Sequence, residues 1–178
     1  MLNTQPMTVE AFSVFAQLPE NADRMWELIN GEIVEVSPGR TRYSEVGQVL
    51  TGEVYTFCRQ HKVTFHMSGS EGTYNINGHV VAPDFAYKST PMSEEYPDPD
   101  PPLWVVEIIS PTDKAADIRD KREIYRRAGI LLWEIYLRSL SIDVYAPGQP
   151  LKTYSMSDVL DGGDVLPEFK LAVADLFA

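Results

Sequence analysis

The sequence lacks several features that would place the protein in a specialised structural class. Cys58 is the single cysteine among 178 residues, so no disulfide can form within the chain and a zinc site built from paired thiols is excluded. No apolar run approaches the roughly 20 residues that cross a bilayer. The first twenty residues show no basic segment followed by an apolar core. We therefore expect a soluble, cytoplasmic protein without a membrane partner.

Positive charge is also scarce. The chain has 15 Lys and Arg residues against 26 Asp and Glu residues, and its formal net charge is -11. Proteins that bind nucleic acid without sequence preference do so through Lys and Arg, which displace counterions from the phosphates. This balance argues against a nonspecific nucleic-acid binder, although a local basic patch could outweigh it. The length fits one domain, residues 1–178.

Apolar periodicity and turn residues predict a chain of mixed helices and strands. Residues spaced three and four apart predict helices over 8–18, 43–60 and 114–128, with a short terminal helix near 171–178. Short apolar or alternating runs predict strands over 25–29, 32–36, 63–67, 72–76, 79–87, 103–110, 130–137 and 141–146. Asn30-Gly31 suits the tight turn of a hairpin between the first two strands. This order predicts an α/β (α+β) sheet with helices packed on it.

Two acidic residues interrupt apolar strand faces. Side chains alternate across a strand, so Glu107 lies between Val105 and Ile109 on one face. Asp84 interrupts small apolar residues in the predicted strand 79–87 in the same way. An isolated buried carboxylate costs several kcal/mol, so hydrogen bonds, a cation or a metal must compensate it. Paired carboxylates suit Mg²⁺, and hydrogen bonds at a sheet end or a pairing with Arg are an equally open alternative.

Lys121 is a third candidate, because it lies on the inward stripe of the predicted helix with Ile118 and Tyr125. After Glu107 the strand advances about three residues, or roughly 10 Å at about 3.3 Å per residue. The helix from Lys114 to Lys121 returns about 10 Å at about 1.5 Å per residue. Lys121 therefore comes level with Glu107. The alternatives are a lysine whose ammonium reaches water along the helix surface and a structural Lys–Glu pair.

These segments resemble a known family. VAPDFAY and LWVVEIISPTDKAADIRDK are similar to the Uma-type restriction endonucleases of the PD-(D/E)XK nuclease superfamily. The matching positions are Pro83 with Asp84, the stretch from Glu107 to Pro111, and Asp117 with Lys121. WELINGEIVEVSP is like the family's leading hairpin. The resemblance implies a restriction-endonuclease-like fold, with a central mixed sheet flanked by helices and an N-terminal hairpin.

The resemblance also implies a catalytic site. In the superfamily an acidic pair binds Mg²⁺, and a lysine two residues after the second acid helps position or activate the attacking water. Ile109 stands at that place here, so the resemblance implies that Lys121 replaces the missing lysine. It implies hydrolysis of DNA phosphodiester bonds, with Mg²⁺ or Mn²⁺ held by Asp84, Glu107 and the Ile108 backbone carbonyl.

Other residues and functions stay open at this stage. Glu45 of the second helix or Glu32 of the hairpin could complete the metal shell, and a surface charge is the simpler interpretation of each. Four arginines of the third helix form either a solvated face or a phosphate-contacting edge: Arg119, Arg122, Arg126 and Arg127. Asp98 and Asp100 are predicted only to solvate a Pro-rich loop.

Three functional hypotheses follow. The first is a Mg²⁺-dependent DNA endonuclease, and the second is a noncatalytic member of the same fold that binds DNA or a protein partner. The third keeps the metal chemistry and changes the substrate to RNA or a small phosphodiester. A homodimer is expected for the endonuclease, because cutting both strands of a duplex favours two-fold symmetry.

Overall fold

The computed structural model describes residues 6–37 and 39–178. Its helices and strands, in chain order, are α1 (Val9–Ala16), β1 (Met25–Ile29), β2 (Glu32–Val36), α2 (Thr41–His61), β3 (His66–Gly69), β4 (Tyr74–Ile76), β5 (His79–Val81), β6 (Phe85–Lys88), β7 (Trp104–Ile109), α3 (Ala115–Arg127), β8 (Leu131–Tyr136), β9 (Ser141–Tyr145), β10 (Lys152–Tyr154), β11 (Val159–Gly162), β12 (Leu166–Ala172) and α4 (Val173–Phe177). Within the described ranges no helix is long and apolar enough to span a bilayer.

A six-stranded mixed sheet forms the centre, in the order β10-β9-β8-β7-β6-β3. β7 and β8 are parallel because α3 connects them as a crossover, and the other neighbours are antiparallel. Trp104, Val106 and Ile108 pack in one core with α2 and the C-terminal elements. Val105 packs in a second core with α3, and Glu107 points to the same side. The predicted alternation along β7 is confirmed.

The predicted N-terminal hairpin is confirmed with its predicted bounds. β1 and β2 pair antiparallel from Met25↔Val36 to Ile29↔Glu32. Asn30 and Gly31 adopt φ values of 53° and 79°, the left-handed backbone that a tight turn needs. The hairpin continues into a four-stranded sheet of order β2-β1-β5-β4. β1 thereby comes to lie beside the segment that leads to Asp84.

The prediction of one continuous strand over 79–87 is wrong. β5 belongs to the four-stranded sheet and β6 to the six-stranded sheet, with Ala82, Pro83 and Asp84 between them. Pro83 has no N–H to donate, so it ends one ladder and allows the chain to change sheets. Asp84 therefore lies at the joint between two sheets, immediately before β6, and not in a strand interior.

The acidic, Pro-rich loop is also different from the prediction. Asp98 is only 7% exposed, and its Oδ2 lies 2.8 Å from Nζ of Lys88, which is 1% exposed. Asp98 also accepts hydrogen bonds from the backbone N–H groups of Ser93 and Asp100. This aspartate holds the loop around a buried ion pair, because a buried ammonium needs a carboxylate partner. Of the two aspartates, Asp100 stays largely exposed, 3.8 Å from Lys88.

Candidate active site

Glu107 and Lys121 are in direct contact. Glu107 is the fourth residue of β7, and Lys121 lies in the middle of α3, which packs on that face. The ammonium Nζ is 2.8 Å from Oε1 and 3.0 Å from Oε2 of Glu107. The position that the strand and helix rises predict for Lys121 is confirmed, and the ammonium points inward rather than along the surface into water. The part that Lys121 takes in catalysis stays a prediction.

Asp84 is tied to the strand that carries Glu107. Its Oδ2 accepts a hydrogen bond of 2.7 Å from the backbone N–H of Ile108. The β6–β7 ladder runs to the pair Phe85↔Val106, so the Asp84 carboxylate continues the pairing just beyond the strand end. The two acids thus lie at the same end of the sheet, Glu107 in β7 and Asp84 immediately before the neighbouring strand β6. The structure brings together the acidic pair that the sequence singles out.

Glu27 is a third acid at this place, and the sequence analysis missed it. It lies in β1, is 5% exposed, and its Oε1 is 3.0 Å from Nζ of Lys121. The same oxygen accepts the backbone N–H of Ala82 at 2.8 Å. The signal was present, because Glu27 interrupts the face between Met25 and Ile29 just as Glu107 interrupts its own strand.

Tyr125 is a further neighbour that the sequence placed on the inward stripe without a polar role. Its hydroxyl donates a hydrogen bond of 2.6 Å to Oε1 of Glu107. The ring itself is buried in the core between α3 and the sheet. One turn of α3 therefore supplies two donors, the Lys121 ammonium and the Tyr125 hydroxyl, to the same carboxylate.

A second ion pair lies beside the first, one strand further along the sheet. Glu134 of β8 is level with Glu107 in the parallel ladder and is 1% exposed. Arg122 binds it through two parallel hydrogen bonds of 2.8 and 2.7 Å, and the Tyr136 hydroxyl donates a third of 2.7 Å. The Arg122 guanidinium also lies 5.0 Å from the centre of the Tyr145 ring. Arg122 is therefore a half-buried partner of the buried Glu134.

The other three arginines of α3 lie beside acids of the same helix. Arg126 and Arg127 contact Glu123 at 2.9 and 3.6 Å, and Arg119 lies 3.8 Å from Asp120. These three side chains are largely exposed, so their pairings contribute little to stability. The arginine cluster thus divides into Arg122, which is half-buried and paired with the sheet, and a solvated edge of three exposed arginines.

A profile of the Uma2 family, described as "Putative restriction endonuclease", matches residues 12–174. The chain belongs to the Uma2 family. It is similar in structure to a protein from Anabaena variabilis ATCC 29413, described as a putative nuclease belonging to DUF820, with a TM-score of 0.80. The sequences are 19% identical, and the likeness covers 97% of this chain and 98% of that chain. No curated protein matches this chain. The fold of this Uma2 chain is restriction-endonuclease-like, as the resemblance implied.

Burial and charge act against each other in the Uma2 site. Burial raises the pKa of Glu107 to about 8, since the opposing attraction of Lys121 is outweighed and Asp84 and Glu27 add repulsion. Burial also raises the pKa of Asp84, against the Ile108 hydrogen bond and the field of Lys121. Burial lowers the pKa of Lys121, but Glu107 and Glu27 more than offset this and hold it above its ordinary value. Two acids thus contact one ammonium, a third lies near enough to feel its field, and this excess of acids favours a further cation.

The two supporting acids considered from sequence lie elsewhere. Glu45 is exposed on α2 and pairs with Arg42 at 2.7 Å, and Glu32 is exposed at the first residue of β2. Across residues 6–37 and 39–178, no group of three or more His, Cys, Asp or Glu side chains is arranged to hold a metal. Asp84 and Glu107 remain the two acids that the sequence predicts as ligands of a divalent ion. Two carboxylates fit Mg²⁺, which keeps several waters and takes its other ligands from substrate phosphates.

Proposed function

We propose that this Uma2 protein is a divalent-cation-dependent nuclease that hydrolyses phosphodiester bonds of DNA. The observation that carries the proposal is the meeting of Asp84, Glu107 and Lys121 at one end of neighbouring strands. The family description supports a nuclease, and so does the name given to the Anabaena variabilis protein. Perturbed acids beside a fixed cation are typical of catalytic sites. DNA as the substrate and a homodimer as the active form stay predictions.

Asp84, Glu107 and the Ile108 backbone carbonyl would hold Mg²⁺ or Mn²⁺. Such an ion stabilises charge on the phosphate and lowers the pKa of a bound water. Asp84 keeps its Oδ2 on the N–H of Ile108, which fixes the orientation of the carboxylate relative to β7. The Tyr125 hydroxyl restrains Glu107 in the same way from the side of α3.

Lys121 acts in this proposal as a fixed positive charge. Because its pKa lies above the ordinary value, the ammonium keeps its proton at neutral pH and cannot take one from water. It can donate hydrogen bonds to a phosphate oxygen as negative charge develops there, or orient the attacking water. Its place beside Glu107 puts that charge next to the proposed cation site.

A nuclease assay tests the proposal directly. Supercoiled DNA, single-stranded DNA and RNA are incubated with the protein and Mg²⁺ or Mn²⁺, with and without a chelator, and the products are separated on gels. We expect DNA cleavage that requires the divalent ion and is lost in Asp84→Asn. The matched control is Asp113→Asn, since Asp113 lies close enough to act on the pKa of Asp84 but bonds only to Ser110 in this loop. Absence of cleavage on every substrate, by a protein that also binds no Mn²⁺, would refute the proposal.

The second candidate is a noncatalytic DNA- or protein-binding member of the same fold. The observation that favours it is that Lys121 already contacts both oxygens of Glu107 and one of Glu27. Such a network is complete as a structural ion pair and needs no further ligand. Tight DNA binding without cleavage, equal in wild type and Glu107→Gln, identifies this candidate.

The pH dependence of cation binding gives a further prediction. A metal ligand must be deprotonated, and the pKa of Glu107 is raised to about 8, so each cation bound below that pH displaces a proton. We expect the Mn²⁺ affinity to rise by up to about tenfold per pH unit from about pH 6 towards pH 8, and then to level off. Calorimetric titrations in buffers of different ionisation enthalpy measure both the affinity and the released proton. An affinity that is constant over this range contradicts the raised pKa.

A further inference from the structure

Glu27 joins three parts of the molecule through one carboxylate oxygen. The residue itself belongs to β1 of the hairpin sheet. Its Oε1 accepts the backbone N–H of Ala82 at 2.8 Å, two residues before Asp84, and lies 3.0 Å from Nζ of Lys121 in α3. A carboxylate that is only 5% exposed is retained at such a place because both contacts compensate its charge.

Lys121 is shared between two acids, and this sharing matters when one of them takes another partner. Its ammonium lies 2.8 and 3.0 Å from the two oxygens of Glu107. Under the proposed function, those oxygens are also the ones that a divalent cation needs. A buried ammonium whose only carboxylate turns to another cation is left uncompensated, at a cost of several kcal/mol. Without a second acid, Lys121 and the divalent ion would compete for Glu107.

We propose that Glu27 is a positioning residue, the counter-ion that retains the Lys121 ammonium in the site while Glu107 binds the divalent cation. This inference rests on the proposed function. Glu27 acts through Lys121 and does not itself hold the cation. The N-terminal hairpin thereby contributes to the active site, although Asp84, Glu107 and Lys121 all come from other elements.

A double-mutant cycle on Mn²⁺ affinity tests this assignment. Calorimetric titrations compare wild type, Glu27→Gln, Lys121→Met and the double variant. Glutamine keeps an oxygen for the N–H of Ala82 and removes only the charge. We expect Glu27→Gln to weaken Mn²⁺ binding about tenfold or more when Lys121 is present, and less than about threefold in the Lys121→Met background. The general effect on Mn²⁺ affinity of losing one negative charge is the same in both backgrounds, so it cancels in the cycle.

Asp113→Asn is the matched control for charge, because Asp113 acts on Asp84 from a distance as Glu27 does. We expect it to change Mn²⁺ affinity by the same factor with and without Lys121. If circular dichroism shows that Glu27→Gln is unfolded, Glu27→Asp replaces it. In that variant the carboxylate lies one methylene further from Lys121 and from Ala82. Loss of the Ala82 hydrogen bond changes the Mn²⁺ affinity equally with and without Lys121, so its effect cancels in the double-mutant cycle.

The possible outcomes separate the two proposals. Equal weakening by Glu27→Gln in both backgrounds means that Glu27 bears directly on the cation, and overturns the inference alone. No weakening in the presence of Lys121 also overturns it alone. A wild-type protein that gives no Mn²⁺ binding heat overturns the proposed function, and this inference falls with it.

Discussion

We expect Glu107→Gln to abolish divalent-cation binding and cleavage together. Glu107 is one of the two acids that we propose as ligands of the cation, and the other, Asp84, keeps one oxygen on the N–H of Ile108. Glutamine preserves the shape and an acceptor for Lys121 and Tyr125, but it removes the negative charge that a divalent ion requires. Changes to residues that merely support a ligand commonly cost 10- to 100-fold in metal affinity, so loss of a ligand should cost more than about 100-fold. Calorimetric titration with Mn²⁺ measures this directly.

Glu134→Gln is the matched control for this prediction. Glu134 is the same residue type at the same level of the neighbouring strand, and its side chain is 1% exposed against 13% for Glu107. Its carboxylate is bound to Arg122 and Tyr136. We expect this variant to keep its Mn²⁺ affinity while its free energy of unfolding falls by about 3 kcal/mol, because the Arg122 guanidinium loses its charged partner. All titrations are run well below the unfolding temperature of each variant. Equal Mn²⁺ affinity in Glu107→Gln and wild type would contradict the proposed cation site at Asp84 and Glu107.

Lys121→Met should reduce the cleavage rate about 100- to 1,000-fold, the usual cost of removing one group that stabilises developing charge. The cation should still bind, because Lys121 is a competitor for Glu107 and not a ligand. We therefore expect the Mn²⁺ affinity to stay within about threefold of wild type or to increase. Single-turnover cleavage at saturating Mn²⁺, with calorimetry on the same preparation, separates the chemical step from cation binding.

The control for this prediction is Lys152→Met, which makes the same change at an exposed position of β10. It should cleave DNA at the wild-type rate. Methionine fills the space of the lysine stem, so a fall in rate cannot be ascribed to a cavity in the core. Normal cleavage by Lys121→Met removes the lysine from the mechanism and leaves it as a structural partner of Glu107.

Local sequence signals were sufficient for much of the fold around the site. The bounds of the hairpin strands follow from alternation and from Asn30-Gly31, and α3 ends before Gly129, whose φ of 70° marks a helix cap. The contact between Lys121 and Glu107 follows from the rise per residue in a strand and in a helix. The chain advances along β7 beyond Glu107 and then returns by a similar distance along α3 to Lys121. These features depend on short stretches of chain.

The errors have different causes, and only the missed Glu27 depends on a contact that is distant in the sequence. Glu27 lies 94 residues before Lys121 in the numbering, and the pairing of Leu28 with Val80 brings its strand to the site. Asp98 looks like a surface charge because its partner Lys88 is found only once the loop has folded back. The antiparallel pair β11–β12 was missed as well, since a register shift at Asp161 and Gly162 and the two successive exposed residues Pro167 and Glu168 break the alternation.

The adjacent pairs that Lys121 and Arg122 form with the sheet limit where the chain tolerates insertions. Successive helix residues point about 100° apart. Lys121 and Arg122 can therefore contact Glu107 of β7 and Glu134 of β8 at the same time only when α3 has one particular rotation about its own axis. An extra residue near Ala115 displaces exposed side chains of the first turn and leaves that setting intact. An extra residue between Arg122 and the buried Ile124 would rotate Lys121 and Arg122 away from their carboxylate partners while Ile124 and Tyr125 stay packed in the core. Length variation among relatives should therefore be found at the start of this helix and not in its middle.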